Sequence, residues 1–324
     1  IGTPKKVIVM SRDEAKQHDM RLSYLDMKVS TEEVIYQNFQ QVLEFRIGDI
    51  RSYKDVCSAM RGADIVINAA ALKQVPTCEY FPEQAIATNA SGVNNLVRAI
   101  NEGRNDVETL IGISTDKAVK PINVMGMTKA LQERIIVAGN IMNPKTRFIC
   151  VRYGNVIASR GSVIPLFHHQ IEKGGPLTVT VPEMTRFLLT LNQGVDTILA
   201  ALEKANPGEI FVPNVPSVSV MNLAQALSQD SNIDIDIVGI RPGEKLHEIM
   251  VSEEESKMTS KRGDYYAIHP MLPELVGENF IPALGGEFSS ADNVLNFDDT
   301  RSLLKKHKLL SGMNKPSELG ELLV

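Results

Sequence analysis

No glycine stands between Gly2 and Gly48. A turn that brings backbone amides against a phosphate needs residues without a Cβ, so this opening stretch excludes one. Cysteine is nearly as scarce. Cys57, Cys78 and Cys150 are odd in number and lack C-x-x-C spacing, which argues against a disulfide framework and a thiolate zinc site and fits a reducing cytoplasm. The adjacent pair His168-His169 points two ways on a helix and has no carboxylate at fitting spacing, so it and His247 read as structural and no metal is expected. No apolar run approaches the roughly 20 residues of a membrane span, and Ile1 to Lys5 lacks the layout of a signal peptide, so the chain reads as soluble, with no membrane partner. Excess positive charge is missing too. The formal net charge is −5 and the basic residues are interspersed with acids, which leaves no footprint for nucleic acid.

What is present is a series of short β-branched runs with amphipathic stretches between them. Val7–Met10, Leu43–Ile47, Ile65–Asn68, Leu110–Ile113 and Phe148–Val151 read as strands, while Ala85–Ile100 and Lys129–Val137 carry helical spacing. That alternation predicts an α/β protein with a doubly wound parallel sheet. After Val156 glycine and proline become frequent and strand candidates such as Leu177–Thr180 are isolated, so a smaller lobe begins there. Glu209–Val212 reads as a late strand returning to the main sheet, which makes the lobes interleaved. The expected division is 1–156 with about 188–214 as the sheet domain, 157–187 and 215–295 as the second lobe, and 296–324 as a C-terminal helix and tail. From Ser311 onward large apolar residues are few, and the tail is expected to be disordered.

The chemistry concentrates in 114–129. Ser114-Thr115-Asp116-Lys117 follows the Leu110–Ile113 strand at its carboxyl end, where open α/β sheets bind ligands. Lys129 lies four residues after Met125, so the two share a helix face. Alone, such a string reads as a turn, with Asp116 capping a backbone amide and Lys117 in solvent.

The segment resembles the active-site stretch of the extended short-chain dehydrogenase/reductase family, in which a strand ending in Ser or Thr leads to a Tyr-x-x-x-Lys helix. Met125 stands where that tyrosine would be. A thioether takes no proton at neutral pH, so acid/base work falls to Asp116 and Lys117. Five further strings resemble the nucleotide-sugar 4,6-dehydratases of bacterial polysaccharide biosynthesis. These are Ala71 to Glu79, Arg152 to Val156, Ala158 to Phe167, Met184 to Phe187 and Arg241 to Lys245. The Lys-Gln-Val-Pro-x-Cys-Glu and Ser-Arg-Gly-Ser-Val forms look most like the capsular, C5-inverting UDP-N-acetylglucosamine dehydratases, several of which also carry methionine at the tyrosine position.

The resemblance implies a Rossmann-like fold, a UDP-sugar substrate and a homo-oligomer, with a hexamer among its forms. It implies a leading strand, glycine-rich turn and helix of about twenty-five residues that this chain does not contain. The chain is therefore expected to be N-terminally incomplete, to open on the end of that helix, and to be compromised in holding its cofactor. Arg12, beyond the Val7–Met10 strand, suits the 2′-phosphate of NADP better than the bare ribose of NAD. By the same resemblance Asp49, Ile50, Ala69, Ala70, Ala71, Lys73, Asn89, Ser114, Lys129 and Tyr153 contact the cofactor. Lys73, Asn155, Ser162, Val163, Arg186, Arg241 and Glu244 hold the sugar nucleotide, and Thr115, Asp116, Lys117, Met125 and Lys129 form the catalytic set. Lys117 becomes the C5 base, which requires burial or Lys129 to depress its pKa, and Asp116 the acid for the departing C6 hydroxyl. A UDP-sugar 4-epimerase and a non-catalytic nucleotide-sugar-binding subunit are the alternatives.

Overall fold

The computed structural model describes residues 2–26, 42–103, 106–157, 162–229, 233–277 and 280–310. The expected tail and the Ala158-Ser159-Arg160-Gly161 part of the quoted motif lie outside them.

The strands, in chain order, open with β1 (Val7–Ser11), β2 (Leu43–Ile47), β3 (Ile65–Asn68), β4 (Thr109–Thr115), β5 (Arg147–Tyr153) and β6 (Asn155–Val156). They continue with β7 (Leu177–Val179), β8 (Thr185–Leu189), β9 (Ile210–Pro213), β10 (Ser217–Ser219) and β11 (Ile235–Ile237). The last are β12 (Ile249–Val251), β13 (Thr259–Arg262), β14 (Tyr265–Ile268), β15 (Phe288–Ser289) and β16 (Val294–Leu295).

A six-stranded sheet of order β13-β14-β9-β5-β4-β3 forms the centre. β3, β4, β5 and β9 are parallel, so the carboxyl ends of β3, β4 and β5 fall on one side. The side chains of β4 and β5 are buried on both faces, as their unbroken apolar runs require. Leu110, Phe148, Cys150, Ile210 and Val212 pack on one face with Val93, Val97 and Ile136 from two helices, Gly92–Asn101 and Val124–Met142. Their strand neighbours Ile111, Ile149, Val151 and Phe211 pack on the other, against Ala200 and Ala201 of the helix Leu191–Lys204. Successive residues serve opposite layers because strand side chains alternate. Among the described residues β1 pairs only with β2, and no strand pairs with the outer edge of β3, where Ile65 and Ile67 are exposed. Residues 2–6 are not helical, contrary to the expectation that the chain opens on a helix end.

A second core joins Ile164, Phe167, Leu177, Val179, Leu188, Val218, Leu223, Leu227 and Leu304 around the sheet β16-β10-β8-β6. The closing helix Phe297–Lys306 packs there through Leu304. The late strand β9 does return to the main sheet beside β5. One difference concerns β13 and β14, which lie in the stretch expected to belong to the second lobe yet extend the main sheet antiparallel beyond β9. Their side chains include four polar or charged residues, which suits an edge and gives little apolar signal in the sequence. Among the described residues no helix is long and apolar enough to cross a membrane.

Candidate active site

The site grows from the end of β4. Thr115 caps a short turn, Asp116–Ala118, and its hydroxyl donates to Asp116 Oδ1 at 2.9 Å. The chain then passes through Lys120, whose φ of 41° is a left-handed backbone that costs a non-glycine residue about 1 kcal/mol. Asn123 caps the helix Val124–Met142, accepting from the Gly126 amide at 2.8 Å. A Cβ on Gly126 would run into the Lys117 carbonyl, so glycine is what lets this helix seat against the turn.

Asp116 is wholly buried. Its Oδ1 also accepts from Lys117 Nζ at 3.0 Å, while Oδ2 has no hydrogen-bond partner among the described residues. Gly154 faces that free oxygen, and a Cβ there would lie 3.2 Å from it. Lys117 Nζ donates further to Asn155 Oδ1 at 3.3 Å and pairs with Glu248 Oε1 at 3.3 Å. Glu248 is buried, its Oε2 lacks a hydrogen-bond partner, and Arg186 Nε stands 3.9 Å from its Oε1. Burial alone would lower the Lys117 pKa, but the carboxylates of Asp116 and Glu248 outweigh both burial and Arg186, and the net direction is upward. This corrects the expectation of a depressed Lys117. The depressed lysine is Lys129, brought down to about 8 by burial. Among the described residues its ammonium has only neutral acceptors, the Ile113 carbonyl at 2.5 Å and Gln132 Oε1 at 2.6 Å, and nearby Glu133 is engaged elsewhere.

Met125 shares a helix face with Lys129, but its side chain packs with Cys78 and Ala85 in a small apolar cluster. Other expected residues divide by what their polar atoms already do. Ser114 donates to Glu133 Oε1 at 2.5 Å inside a buried network and is not presented to a ligand. Ile50 is a core side chain packed under Gly92, and any contact it made would be through backbone. Asn89 spends its amide on the backbone of Leu72, at 2.8 and 2.9 Å, and on Thr128 Oγ1 at 3.0 Å, so it holds the loop after β3. Tyr153 is partly buried against both main-sheet cores. All four side chains serve packing or a buried polar group.

The remaining cofactor set is open. Ala69, Ala70, Ala71 and Lys73 are exposed on the loop after β3. Asn68, at the end of β3, has a buried Nδ2 with no hydrogen-bond partner among the described residues, an amide ready for an acceptor. Asp49 is bound in two-point fashion by Arg51, at 2.9 and 2.6 Å, with Arg12 at 3.7 Å. These groups fit the adenosine and nicotinamide ends of a dinucleotide. The backbone turn for its pyrophosphate is not among them.

On the sugar-nucleotide side, Arg186 donates to the Thr185 and Leu246 carbonyls and faces Glu248, so it belongs to the acid/base cluster. Ser162 caps the helix Val163–Glu172 with a buried Oγ that has no hydrogen-bond partner among the described residues, and Val163 packs against the second core. Arg241 and Glu244 form a loose pair at 4.0 Å in a turn made possible by Gly243 at φ 81°. That turn docks on the active-site helix, with Asn123 Nδ2 donating to the Gly243 carbonyl at 2.9 Å and Lys245 Nζ to the Val119 carbonyl at 2.5 Å. His247 Nδ1 lies 2.8 Å from Thr185 Oγ1, a structural use as expected.

Sequence reasoning missed Glu248, which only the third dimension brings to Lys117, and quoted Lys245 within a motif without giving it a role. It also missed a buried ion network beneath the site. Arg152, 1% exposed, binds Glu133, Glu255 and the Met250 carbonyl, tying β5 to the active-site helix and to the segment after β12.

A family model described as polysaccharide biosynthesis protein matches residues 2–270, which include every member of the acid/base cluster. The chain belongs to the polysaccharide biosynthesis protein family. Relatives in this family include a protein of Rickettsia conorii named UDP-glucose 4-epimerase, 44% identical over 94% of this chain and 88% of that protein. The protein of the same name from Rickettsia typhi is 46% identical over 83% of this chain and 75% of its own length. The X-ray structure of Pen from Bacillus thuringiensis superposes with a TM-score of 0.84 at 33% identity, covering 95% of this chain and 91% of that one. DesIV of Streptomyces venezuelae, a dTDP-glucose 4,6-dehydratase with NAD and TYD bound, gives 0.62 at 19% identity over 75% and 78% of the two chains. This last similarity is one of fold, and the fold is the Rossmann-like doubly wound sheet.

Proposed function

We propose that this family member is a nucleotide-sugar 4,6-dehydratase that uses NADP and acts on UDP-N-acetylglucosamine with inversion at C5. The observation that carries the reading is the pair of buried Asp116 and partly buried Lys117, 3.0 Å apart at the end of β4, with an apolar Met125 on the helix that follows. A dehydratase needs two proton-handling groups at one sugar face, an acid for the C6 hydroxyl and a base for C5. This pair supplies both without a phenol.

A bound nicotinamide would take the C4 hydride and return it at C6. Asp116 accepts the 4-hydroxyl proton and then gives it to the departing C6 hydroxyl, so that water leaves and the carboxylate is restored. Lys117, as the amine, takes the C5 proton; inversion follows when C5 is reprotonated from the other face. Asn155 keeps Lys117 Nζ aimed by a 3.3 Å bond. Lys129, Asn68 and the small-residue turn at Ala69–Ala71 hold the dinucleotide, with Arg12 at its 2′-phosphate. Arg241 and Glu244 hold the uridine diphosphate, near the seam between the sheet domain and the second lobe. The assembly is a homo-oligomer in the cytoplasm.

A second reading, UDP-sugar 4-epimerase, is favoured by the name of the Rickettsia relatives. Lys117 beside Asp116 weighs against it, because an epimerase moves no C5 proton and has no use for a lysine there. Incubating the chain with UDP-N-acetylglucosamine and NADP and weighing the product separates the readings. Loss of one water supports the dehydratase. An unchanged mass with inverted C4 supports the epimerase, and bound but unaltered sugar nucleotide supports a binding subunit.

A further inference from the structure

Lys117 has a proton to lose before it can act as a base, and the site must put that proton somewhere. In the proposed reaction Asp116 is occupied by the 4-hydroxyl proton at the moment C5 is attacked, so it cannot also relieve Lys117. Two other acceptors face Lys117 Nζ, and one of them, Asn155 Oδ1, is an amide oxygen of negligible basicity. The other is Glu248 Oε1, 3.3 Å away. Among the described residues, the charged and titratable groups that act most on Lys117 include Asp116 on its own turn, Glu248 ahead of β12, Arg186 on β8 and Lys245 from the Arg241–Lys245 turn.

We propose that Glu248 is the second carboxylate of this site, a positioning and proton-accepting partner that receives the Lys117 proton and so makes Lys117 a base while Asp116 carries the substrate's proton. The step balances: one Nζ–H bond breaks, one Oε1–H bond forms, and the ammonium–carboxylate pair becomes an amine and a carboxylic acid. When Lys117 takes the C5 proton it regains its charge; C5 then receives a proton of solvent origin on the other face, and Glu248 gives its own proton back to solvent, which restores the ammonium–carboxylate pair. A substrate seated over the pair would withdraw water from it and ease the exchange, because a neutral pair escapes the cost of keeping two charges desolvated. The backbone holds Glu248 for this task. Its amide donates to Ser290 Oγ at 2.9 Å and its carbonyl accepts from the Ser290 amide at 2.8 Å. Ser290 is itself fixed by Thr185, at 2.7 Å. The side chain carries one oxygen toward Lys117 and leaves Oε2 without a hydrogen-bond partner among the described residues, so no donor competes for the carboxylate except Arg186 at 3.9 Å.

The inference rests on the dehydratase reading, so its test begins with a measurement independent of turnover. The full chain, labelled with ε-¹³C lysine, is titrated by NMR without substrate, with Lys117 assigned through Lys117→Arg. Glu248→Gln is expected to lower the Lys117 midpoint by at least about one pH unit, a tenfold change in the amine-to-ammonium ratio. A midpoint unchanged within about 0.3 units overturns the proposal whatever reaction the protein runs. The second readout is water loss against pH. In Glu248→Gln the rate is expected to fall at least a hundredfold at neutral pH and to rise tenfold per pH unit up to the variant's own Lys117 midpoint, with Glu248→Asp recovering part of it. A wild-type profile in Glu248→Gln overturns the proton-accepting role. Should Glu248→Gln fail to fold, Glu248→Met, which also removes the charge, carries the titration: a lowered midpoint supports the coupling and an unmoved one overturns it. If wild type releases no water, the dehydratase reading fails while the titration still decides the coupling.

Discussion

Arg152 lays two parallel N–H···O bonds on Glu133, of 3.0 and 2.7 Å, with both side chains shut away from solvent. Glu133 sits one turn beyond Lys129 on the active-site helix, and Arg152 sits on β5 and reaches Glu255 with its other edge. The pair thus clamps the helix that carries Lys129 to the strand beside the acid/base turn. Removing one partner of such a pair leaves an uncompensated buried charge. Arg152→Met is expected to cost about 3–5 kcal/mol of folding stability, read from urea denaturation. The double variant Arg152→Met with Glu133→Leu should regain only part of that, since the Glu255 carboxylate, 12% exposed, still loses its Arg152 partner.

Lys129 gives the folded protein a pH signature. Its pKa is near 8 when folded, because burial disfavours the charge, and 10.5 is its ordinary value. A folded-state pKa below the unfolded one means the unfolded chain binds the extra proton between those values, so stability rises with pH across that window. Below pH 8 both states are protonated and the penalty, about 3 kcal/mol, is fully present. Thermal unfolding from pH 7.5 to 10 should show a rise contributed by this residue, and Lys129→Met should abolish that contribution.

Lys117 and Met125 separate chemistry from packing. Lys117→Ala should abolish water loss, by at least a thousandfold if Lys117 is the C5 base, on the order of a lost general base and its electrostatic aid. UDP-sugar affinity, measured by calorimetry, should stay within about threefold, since that loss falls on the chemical step. Met125→Leu keeps volume and apolarity and should retain activity within about tenfold, with a stability change under about 1.5 kcal/mol. A loss above a hundredfold would give the thioether a role that its apolar cluster does not indicate.

Gly126 offers a steric test. Helix propensity alone makes Gly126→Ala stabilising by about 1 kcal/mol. The Cβ collision with the Lys117 carbonyl opposes this, and forcing the helix off the turn costs about 1–3 kcal/mol. A lower Tm together with at least a tenfold loss of turnover is the expected outcome, with far-ultraviolet circular dichroism unchanged. Activity at the wild-type level would show that the turn can move without harm.

Local pattern carried a good share of this. The apolar runs of β4 and β5 were readable because parallel strands buried on both faces must be apolar throughout, and the position of Asp116 and Lys117 followed from where β4 stops. The helix of Met125 and Lys129 was readable from spacing, and so was their common face. Motif order placed the Arg241–Lys245 turn among the site candidates.

What the sequence by itself determined, then, is the order of elements, the sheet class and the residues that end on its carboxyl side, since each depends on near neighbours and side-chain period. The tertiary structure decided the electrostatics. Whether Lys117 or Lys129 is the depressed lysine depends on distant charges: Glu248 and Arg186 gather around one, while neutral Ile113 and Gln132 acceptors surround the other. Likewise packing decided what the side chains of Ser114, Ile50 and Asn89 do: a buried bond to Glu133, a place in the core and a hold on the loop after β3. A pKa is set by desolvation and by charges within a few ångströms, and the chain distances between those charges say nothing of their approach until the fold brings them together.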